Sequence, residues 1–264
     1  MSVIVMKFGG ASLCSPEQFE KISRIILEKR KSYENVIVVV SAMGKTTDDL
    51  LGLASKIDKN PPRRELDMLI SAGERISMSL LAMSLNKKNI PALSFTGSQM
   101  GIITTDEHCD ARIIDIKNHR IRPHFESKKV IIVAGFQGMS LKGDITTLGR
   151  GGSDTTAVAL AVCFNAERVE FYKDVNGIFE KDPKSFPQSS QYPELSYEES
   201  LSVVSTGAQI LHMRSLLLAK KYNIPLLVKS FKDLKKNGTF ISNTQSTRIA
   251  FSALNNLGYE ERFA

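Results

Sequence analysis

The residues Thr147-Leu148-Gly149-Arg150-Gly151-Gly152-Ser153-Asp154-Thr155-Thr156-Ala157 place three glycines, an arginine and an aspartate at the mouth of an apolar segment that runs on to Val162. A glycine-rich turn opening into a helix gathers unpaired backbone N–H groups and the positive end of the helix dipole, which together stabilise a phosphate. Gly151, Gly152 and Ser153 are the candidate phosphate ligands of this turn. An ordinary tight turn has the same composition, so the other segments of the chain decide between the two readings.

Two more loops carry the same logic. Lys7-Phe8-Gly9-Gly10 ends an apolar segment with a lysine and two glycines. A lysine inside an otherwise apolar strand is costly unless paired, which makes Lys7 a functional candidate rather than a rim residue. Gly9 and Gly10 let backbone come close to a ligand. Ser41-Ala42-Met43-Gly44-Lys45-Thr46-Thr47 also follows an apolar run and looks like a P-loop, but that motif needs a glycine five residues before Gly44, where Val39 stands. A ligand loop of small hydroxylated residues remains, as at any strand's carboxyl end in an open α/β sheet.

The elements that must hold these loops read as alternating strands and helices, the pattern of a mostly parallel sheet. Strands are expected at Val3–Phe8, Asn35–Val40, Lys129–Ala134, Arg168–Tyr172, Ile224–Val228 and Thr239–Ile241. Helices are expected from Ser15, with Ser15 and Gln18 as a capping box, over Glu65–Leu85 as one long helix, over Ser153–Phe164 and over His212–Tyr222. Asp58–Pro62 reads as a linker and Asp182–Pro193 as a surface loop.

With 264 residues, 42% hydrophobic and 24% charged, the chain can bury a full core. No run of about 18 uniformly apolar residues marks a membrane span. The start reads as a strand and not as a signal peptide, and Cys14, Cys109 and Cys163 read as free thiols of a cytoplasmic protein. No zinc-type spacing of His and Cys occurs. The net charge of +7 is dispersed, without the interleaved aromatics of a nucleic-acid surface, so an anionic small molecule is the expected partner.

Seven segments, in order, resemble the catalytic domain of aspartokinases, of the amino-acid kinase superfamily. They are Lys-Phe-Gly-Gly at 7–10, Val-Val-Val-Ser-Ala-Met-Gly-Lys-Thr-Thr-Asp-Asp-Leu at 38–50, Ser-Ala-Gly-Glu-Arg-Ile-Ser at 71–77, Thr-Gly-Ser-Gln-Met-Gly-Ile-Ile-Thr at 96–104, Gly-Phe-Gln-Gly at 135–138, the run 147–157, and Asp-Val-Asn-Gly-Ile-Phe-Glu-Lys-Asp-Pro at 174–183. The resemblance implies a three-layer αβα sandwich around a mostly parallel sheet, occupying residues 1–241. An amino-acid lobe would span about 1–140 and a nucleotide lobe about 141–241. It implies ATP-dependent phosphorylation of the L-aspartate side chain, with Mg²⁺, in a homodimer. By motif match, Lys7, Gly9 and Gly10 would meet the transferring phosphate. Ser41, Thr47, Glu74, Arg150 and Ser153 would hold the amino acid, Glu74 on its ammonium and Arg150 on a carboxylate. Asp154 would orient Lys7 or help place Mg²⁺, and Lys173, Asp174, Gly177, Phe179, Asp182 and Lys184 would line the nucleotide site.

The chain departs from the family pattern at Ala11, Lys173, Asn176, Phe179, Lys184 and Met213, mostly in the nucleotide half. Residues 242–264 form a short tail in place of C-terminal ACT regulatory domains, and Ile249, Phe251, Leu254 and Leu257 have spacings compatible with a docking helix. The end of the chain reads either as that of a naturally short enzyme or as a fragment of a longer one; a short enzyme, insensitive to lysine and threonine, is the expectation. The alternatives are a kinase of the same fold acting on glutamate or a modified aspartate, and a non-catalytic binding subunit.

Overall fold

A computed structural model describes residues 2–181, 183, 185–205 and 210–243. The apolar segments that open the chain become β1 (Val3–Phe8), α1 (Pro16–Lys29), β2 (Asn35–Val40), α2 (Thr46–Ile57), α3 (Arg63–Ile70) and α4 (Ala72–Lys87). Shorter pieces follow: β3 (Ala92–Phe95), α5 (Gly97–Met100), β4 (Ile102–Thr104), β5 (Ile113–Ile116), α6 (Arg122–Glu126), β6 (Val130–Ala134), β7 (Gln137–Ser140) and β8 (Ile145–Thr147). The glycine-rich turn then opens α7 (Gly152–Cys163), followed by β9 (Arg168–Lys173), β10 (Glu194–Leu195), α8 (Tyr197–Ser205), α9 (Met213–Tyr222), β11 (Leu226–Ser230) and β12 (Thr239–Ile241).

Eight strands form one sheet in the order β10-β12-β11-β9-β1-β2-β6-β3, and only the β11–β12 pair is antiparallel. Both faces are covered, which is why β1 and β2 are buried along their whole length. Val3, Val5, Ile37 and Val39 face a core completed by Ala157–Val162 of α7 and Leu216 and Ala219 of α9. Ile4, Met6, Val36 and Val38 face a second core built from Phe19, Ile22 and Ile26 of α1 and Leu81 and Leu85 of α4. Each fully buried Val, Leu or Ile contributes roughly 1.5–3 kcal/mol. The helix apolar on all sides, α7, is the one buried on all sides. The expected αβα layering is therefore the observed one.

Three features differ from the sequence reading. The expected long helix over Glu65–Leu85 is interrupted at Ser71, whose carbonyl accepts a hydrogen bond from Gln137 Nε2 at 2.8 Å. The interruption lets Gly73 lie against Ala42, where any Cβ would come within 2.7 Å of the alanine methyl. By length and composition the whole stretch Arg63–Lys87 could cross a membrane, but half of its most apolar window is buried inside the molecule. The expected capping box at Ser15 is absent: Gln18 N–H donates to the Ser15 carbonyl at 3.1 Å and the serine side chain makes no cap bond. A complete box forms instead at Thr96 and Gln99. Finally, a second sheet in the order β5-β4-β7-β8 packs beside the first. Its strands of three or four residues are too short to show alternation.

Candidate active site

In β1 the alternation that sends Val3 and Val5 into the α7 core sends Lys7 to the same face, at the strand's carboxyl end. The first turn of α7 stands there, and Asp154 Oδ1 lies 2.6 Å from Lys7 Nζ. The neighbouring parallel strand β9 repeats the device. Val169 and Phe171 face the α7 core, and Lys173, next on that face, brings its Nζ to 3.3 Å from Asp154 Oδ2. Two ammonium groups thus meet one carboxylate, all three buried or nearly so. Burial alone would raise the Asp154 carboxyl, but the charges of Lys173 and Lys7 outweigh it and hold the group at about 2. Burial lowers Lys173, with Asp154 opposing that shift and Lys7 adding to it. The cluster carries one positive charge in excess, set at the carboxyl ends of adjacent parallel strands. The chain leaves β1 toward β2 by α1 on one face, and α7, which leads into β9, covers the other. This is the switch-point crevice where open α/β sheets bind ligands.

Across the crevice, the break at Ser71 sets Glu74 in the first turn of α4 under the end of β2. Its Oε1 accepts from Ala42 N–H at 3.1 Å, and its Oε2 is buried with no hydrogen-bond partner among the described residues. Burial pushes this carboxyl up to about 7, against the lowering effect of its backbone hydrogen bonds and of Lys7. A buried carboxylate oxygen left bare is costly unless a ligand donor completes it.

Loops close the crevice. Ser41, in the turn between β2 and α2, and Thr47, in the first turn of α2, are half-buried, and that turn is tied to the Lys7 loop by Gly44 N–H donating to the Gly10 carbonyl at 3.1 Å. A Cβ on Gly9 would sit in ordinary contact with Lys7, 3.8 Å from its Nζ, whereas one on Gly10 would press on the Ala42 carbonyl at 2.8 Å. On the far side, Gly151 has φ +72 and caps α7, and a Cβ there would overlap the His212 ring at 2.1 Å. Gly152 and Ser153 are buried at the start of α7, while Arg150 projects to solvent from the turn. These residues sit where the sequence placed them, at a helix N-terminus, but His212 beneath the turn was not foreseen. Its register, the residue before α9, gives it no chemical signature.

The expected nucleotide segment leaves β9 at Lys173. Asp174 follows, then Gly177 with φ +145, where a Cβ would press on Thr239 Oγ1 at 2.5 Å. Ile178 N–H donates to Thr239 Oγ1 at 2.8 Å, and Phe179 pairs with Gln191. Asp182, Lys184 and the tail residues Ile249, Phe251, Leu254 and Leu257 lie outside the described residues. Lys173 stands with Lys7 on Asp154 rather than apart from the phosphate cluster. Among the described residues no three His, Cys, Asp or Glu side chains gather as a metal site.

Comparison with known proteins places the chain in a family. The amino acid kinase family model matches residues 2–230. The aspartokinase of Geobacillus stearothermophilus is 46% identical over 246 residues, covering 93% of this chain and 60% of that protein. The chain thus spans about 60% of that curated relative's length. Among solved structures, aspartate kinase from Synechocystis aligns with a TM-score of 0.83 at 38% identity, over 94% of this chain and 41% of that one. Escherichia coli aspartokinase III in complex with aspartate and ADP aligns with a TM-score of 0.84 at 27% identity, over 93% and 66%.

Proposed function

The chain belongs to the amino acid kinase family, and from that premise we propose that it transfers the γ-phosphoryl group of ATP to the side-chain carboxylate of L-aspartate, giving 4-phospho-L-aspartate. The observation that carries the reading is the bare, buried oxygen of Glu74 in the same crevice as the Lys7–Asp154–Lys173 cluster. One end of the crevice calls for a cationic donor, such as an α-ammonium, and the other for an anion, such as a transferring phosphoryl group.

The chemistry follows from the charges. The acceptor carboxylate has an ordinary pKa near 4 and is a nucleophile at neutral pH without a base. Asp154, held at about 2, is a poor base and serves to orient the two lysines. The barrier lies in bringing a carboxylate up to a polyphosphate, so catalysis is positioning and electrostatic stabilisation. Lys7, Lys173 and the N–H groups of Gly9, Gly10, Gly151, Gly152 and Ser153 receive the phosphoryl oxygens. Glu74 takes the ammonium, Ser41 and Thr47 complete the amino-acid pocket, and Arg150 closes over a substrate carboxylate. Both Asp154 oxygens face ammonium groups, so Asp154 does not suit a direct Mg²⁺ ligand, and the ion enters as the MgATP substrate. In this proposal the lobe before about residue 140 supplies most of the amino-acid pocket, with Arg150 reaching it from the glycine-rich turn. Asp174, Gly177 and Phe179, with Asp182 and Lys184, hold the nucleotide.

Trapping of acyl phosphate with hydroxylamine tests the reading. Purified chain with MgATP is expected to give hydroxamate with aspartate and not with glutamate or asparagine. Hydroxamate with glutamate alone would reassign the acceptor, and none with any acceptor would end the proposal. A homodimer is part of it: Ile76, Leu80 and Met83 form an exposed apolar stripe along α4, and sedimentation at micromolar concentration should give twice the chain mass.

A further inference from the structure

Asp67, on α3, is 0% exposed, and its side-chain hydrogen bonds go to His108, Cys109 and Thr147, none of them assigned to substrate. It nevertheless gathers donors from two distant segments. His108 Nδ1 lies 2.7 Å from its Oδ2, Cys109 N–H reaches both oxygens at 3.1 Å, and Thr147 Oγ1 donates to Oδ1 at 2.5 Å. His108 and Cys109 belong to the loop between β4 and β5, where Cys109 adopts φ +68, a backbone state unusual for a side chain with a Cβ. Thr147 ends β8, immediately before the glycine-rich turn. The two segments are also joined directly, by Ala111 N–H donating to the Thr147 carbonyl at 2.9 Å.

From this hub the contacts run into the turn. A Cβ on Gly149 would lie 2.9 Å from Asp110 Oδ1 and 3.2 Å from the Cys109 carbonyl, so the loop forms the wall against which Gly149 packs. Arg214 spans the two, with Nη2 at 2.8 Å from Asp110 Oδ1 and Nη1 donating to the Leu148 carbonyl at 3.2 Å. A buried carboxylate that only held the fold together would be costly beside an apolar replacement. Here its acceptors fix a loop in an unfavourable backbone state and the strand end that feeds Arg150 and Gly151.

We propose that Asp67 is a positioning residue. Through His108, Cys109 and Thr147 it sets the β4–β5 loop and the glycine-rich turn, and so sets Arg150 for the acceptor carboxylate. This rests on the aspartate kinase reading for its catalytic consequence, but the coupling of Asp67 to the turn does not.

The test uses Asp67→Asn, Thr147→Val and the double variant in the full chain. Asp67→Asn keeps the shape but turns one acceptor into a donor facing N–H and O–H groups. The KM for aspartate should rise at least about tenfold, the scale at which small misplacements act, with the KM for ATP within about twofold of wild type. The double variant should be no worse than Asp67→Asn alone, because both remove the same link. Amide exchange over residues 147–152 should rise in Asp67→Asn while that of β1 and β9 is unchanged. Equal rises in both KM values, additive single effects, or exchange unchanged at the turn or raised across the whole sheet would overturn the proposal. Should Asp67→Asn fail to fold, Thr147→Val, which only deletes one hydroxyl, carries the same exchange and KM readouts. A wild-type chain giving no aspartyl hydroxamate would end the aspartate reading of the acceptor instead, and the exchange data would still decide the role of Asp67.

Discussion

Burial holds the Glu74 carboxyl at about 7, above its ordinary 4.5, and the sign of that shift sets two expectations. A carboxyl with a raised folded value keeps its proton longer in the folded state. Its favourable contribution is therefore present below about 4.5 and is lost as the pH rises to about 7 and beyond. An ammonium ligand reverses the cost, since it needs the ionised form. The KM for aspartate should accordingly climb as pH falls below about 7, by up to about tenfold per unit, as the ionised fraction shrinks. A KM flat from pH 8 to pH 6 would remove Glu74 from the ammonium site. In Glu74→Gln the aspartate KM should rise about 30- to 100-fold, the worth of one charge-assisted hydrogen bond, while the thermal midpoint of the free protein at pH 8 stays level or rises. Lys7 was legible in the sequence because a lysine in an apolar strand demands a partner. Its partner Asp154 was named through the resemblance, since an acidic residue in the first turn of a helix is by itself only what the helix dipole favours. Glu74 stood out only through resemblance, because nothing in its own segment shows that α4 breaks at Ser71 and turns it inward. Lys173 was assigned to the nucleotide, since only the register of β1 against β9 shows that the two lysines share one face.

The two faces of β9 divide its labour. Val169, Phe171 and Lys173 face α7 and the crevice, while Glu170 and Tyr172 face α1. Glu170 is fully buried, yet Lys29 donates to it at 2.7 Å, Arg168 at 2.9 and 2.7 Å, and Tyr172 at 2.7 Å. Burial would raise its carboxyl, and these partners bring it below the usual value instead. Glu170→Ala strands two cations and should cost about 3–5 kcal/mol, a drop in thermal midpoint of roughly 10 °C. Because the sheet separates this network from the crevice, kcat/KM measured well below the midpoint should stay within about twofold of wild type. A large kinetic loss in a folded Glu170→Ala protein would contradict that division. The opposite profile belongs to Gly151→Ala. A Cβ at φ +72 is strained and overlaps His212, so the turn must move and activity should fall by orders of magnitude even where the fold survives. Long elements such as β1, β2 and α7 were legible because a buried parallel strand reads as a continuous apolar run and a buried helix is apolar on every side. The β5-β4-β7-β8 sheet was not, because strands of three or four residues are held by pairing and loop anchors such as Asp67 rather than by a periodic pattern.

Taken whole, the chain carries a formal charge of +7, and both proposed substrates are anions near neutral pH. Two populations of positive charge could attract them. Lys7 and Lys173 are buried or nearly so beside Asp154 and act at contact range, where salt screens little. The remaining Lys and Arg are spread over the surface, and at about 0.15 M salt their field dies within roughly 8 Å. The two contributions separate by ionic strength. If the dispersed charge draws MgATP in, kcat/KM for the nucleotide should fall several-fold between about 0.05 and 0.5 M sodium chloride. In that case kcat at saturation should hold, because the charges that act in the transition state are buried. Aspartate, with one net negative charge against two on MgATP, should show the shallower dependence, and ranking the two slopes checks the argument internally. Equal slopes would mean that salt acts on the protein's stability rather than on encounter. A flat response for both would assign all the attraction to the Lys7–Lys173 pair and its helix N-terminus, leaving the surplus surface charge with no part in binding.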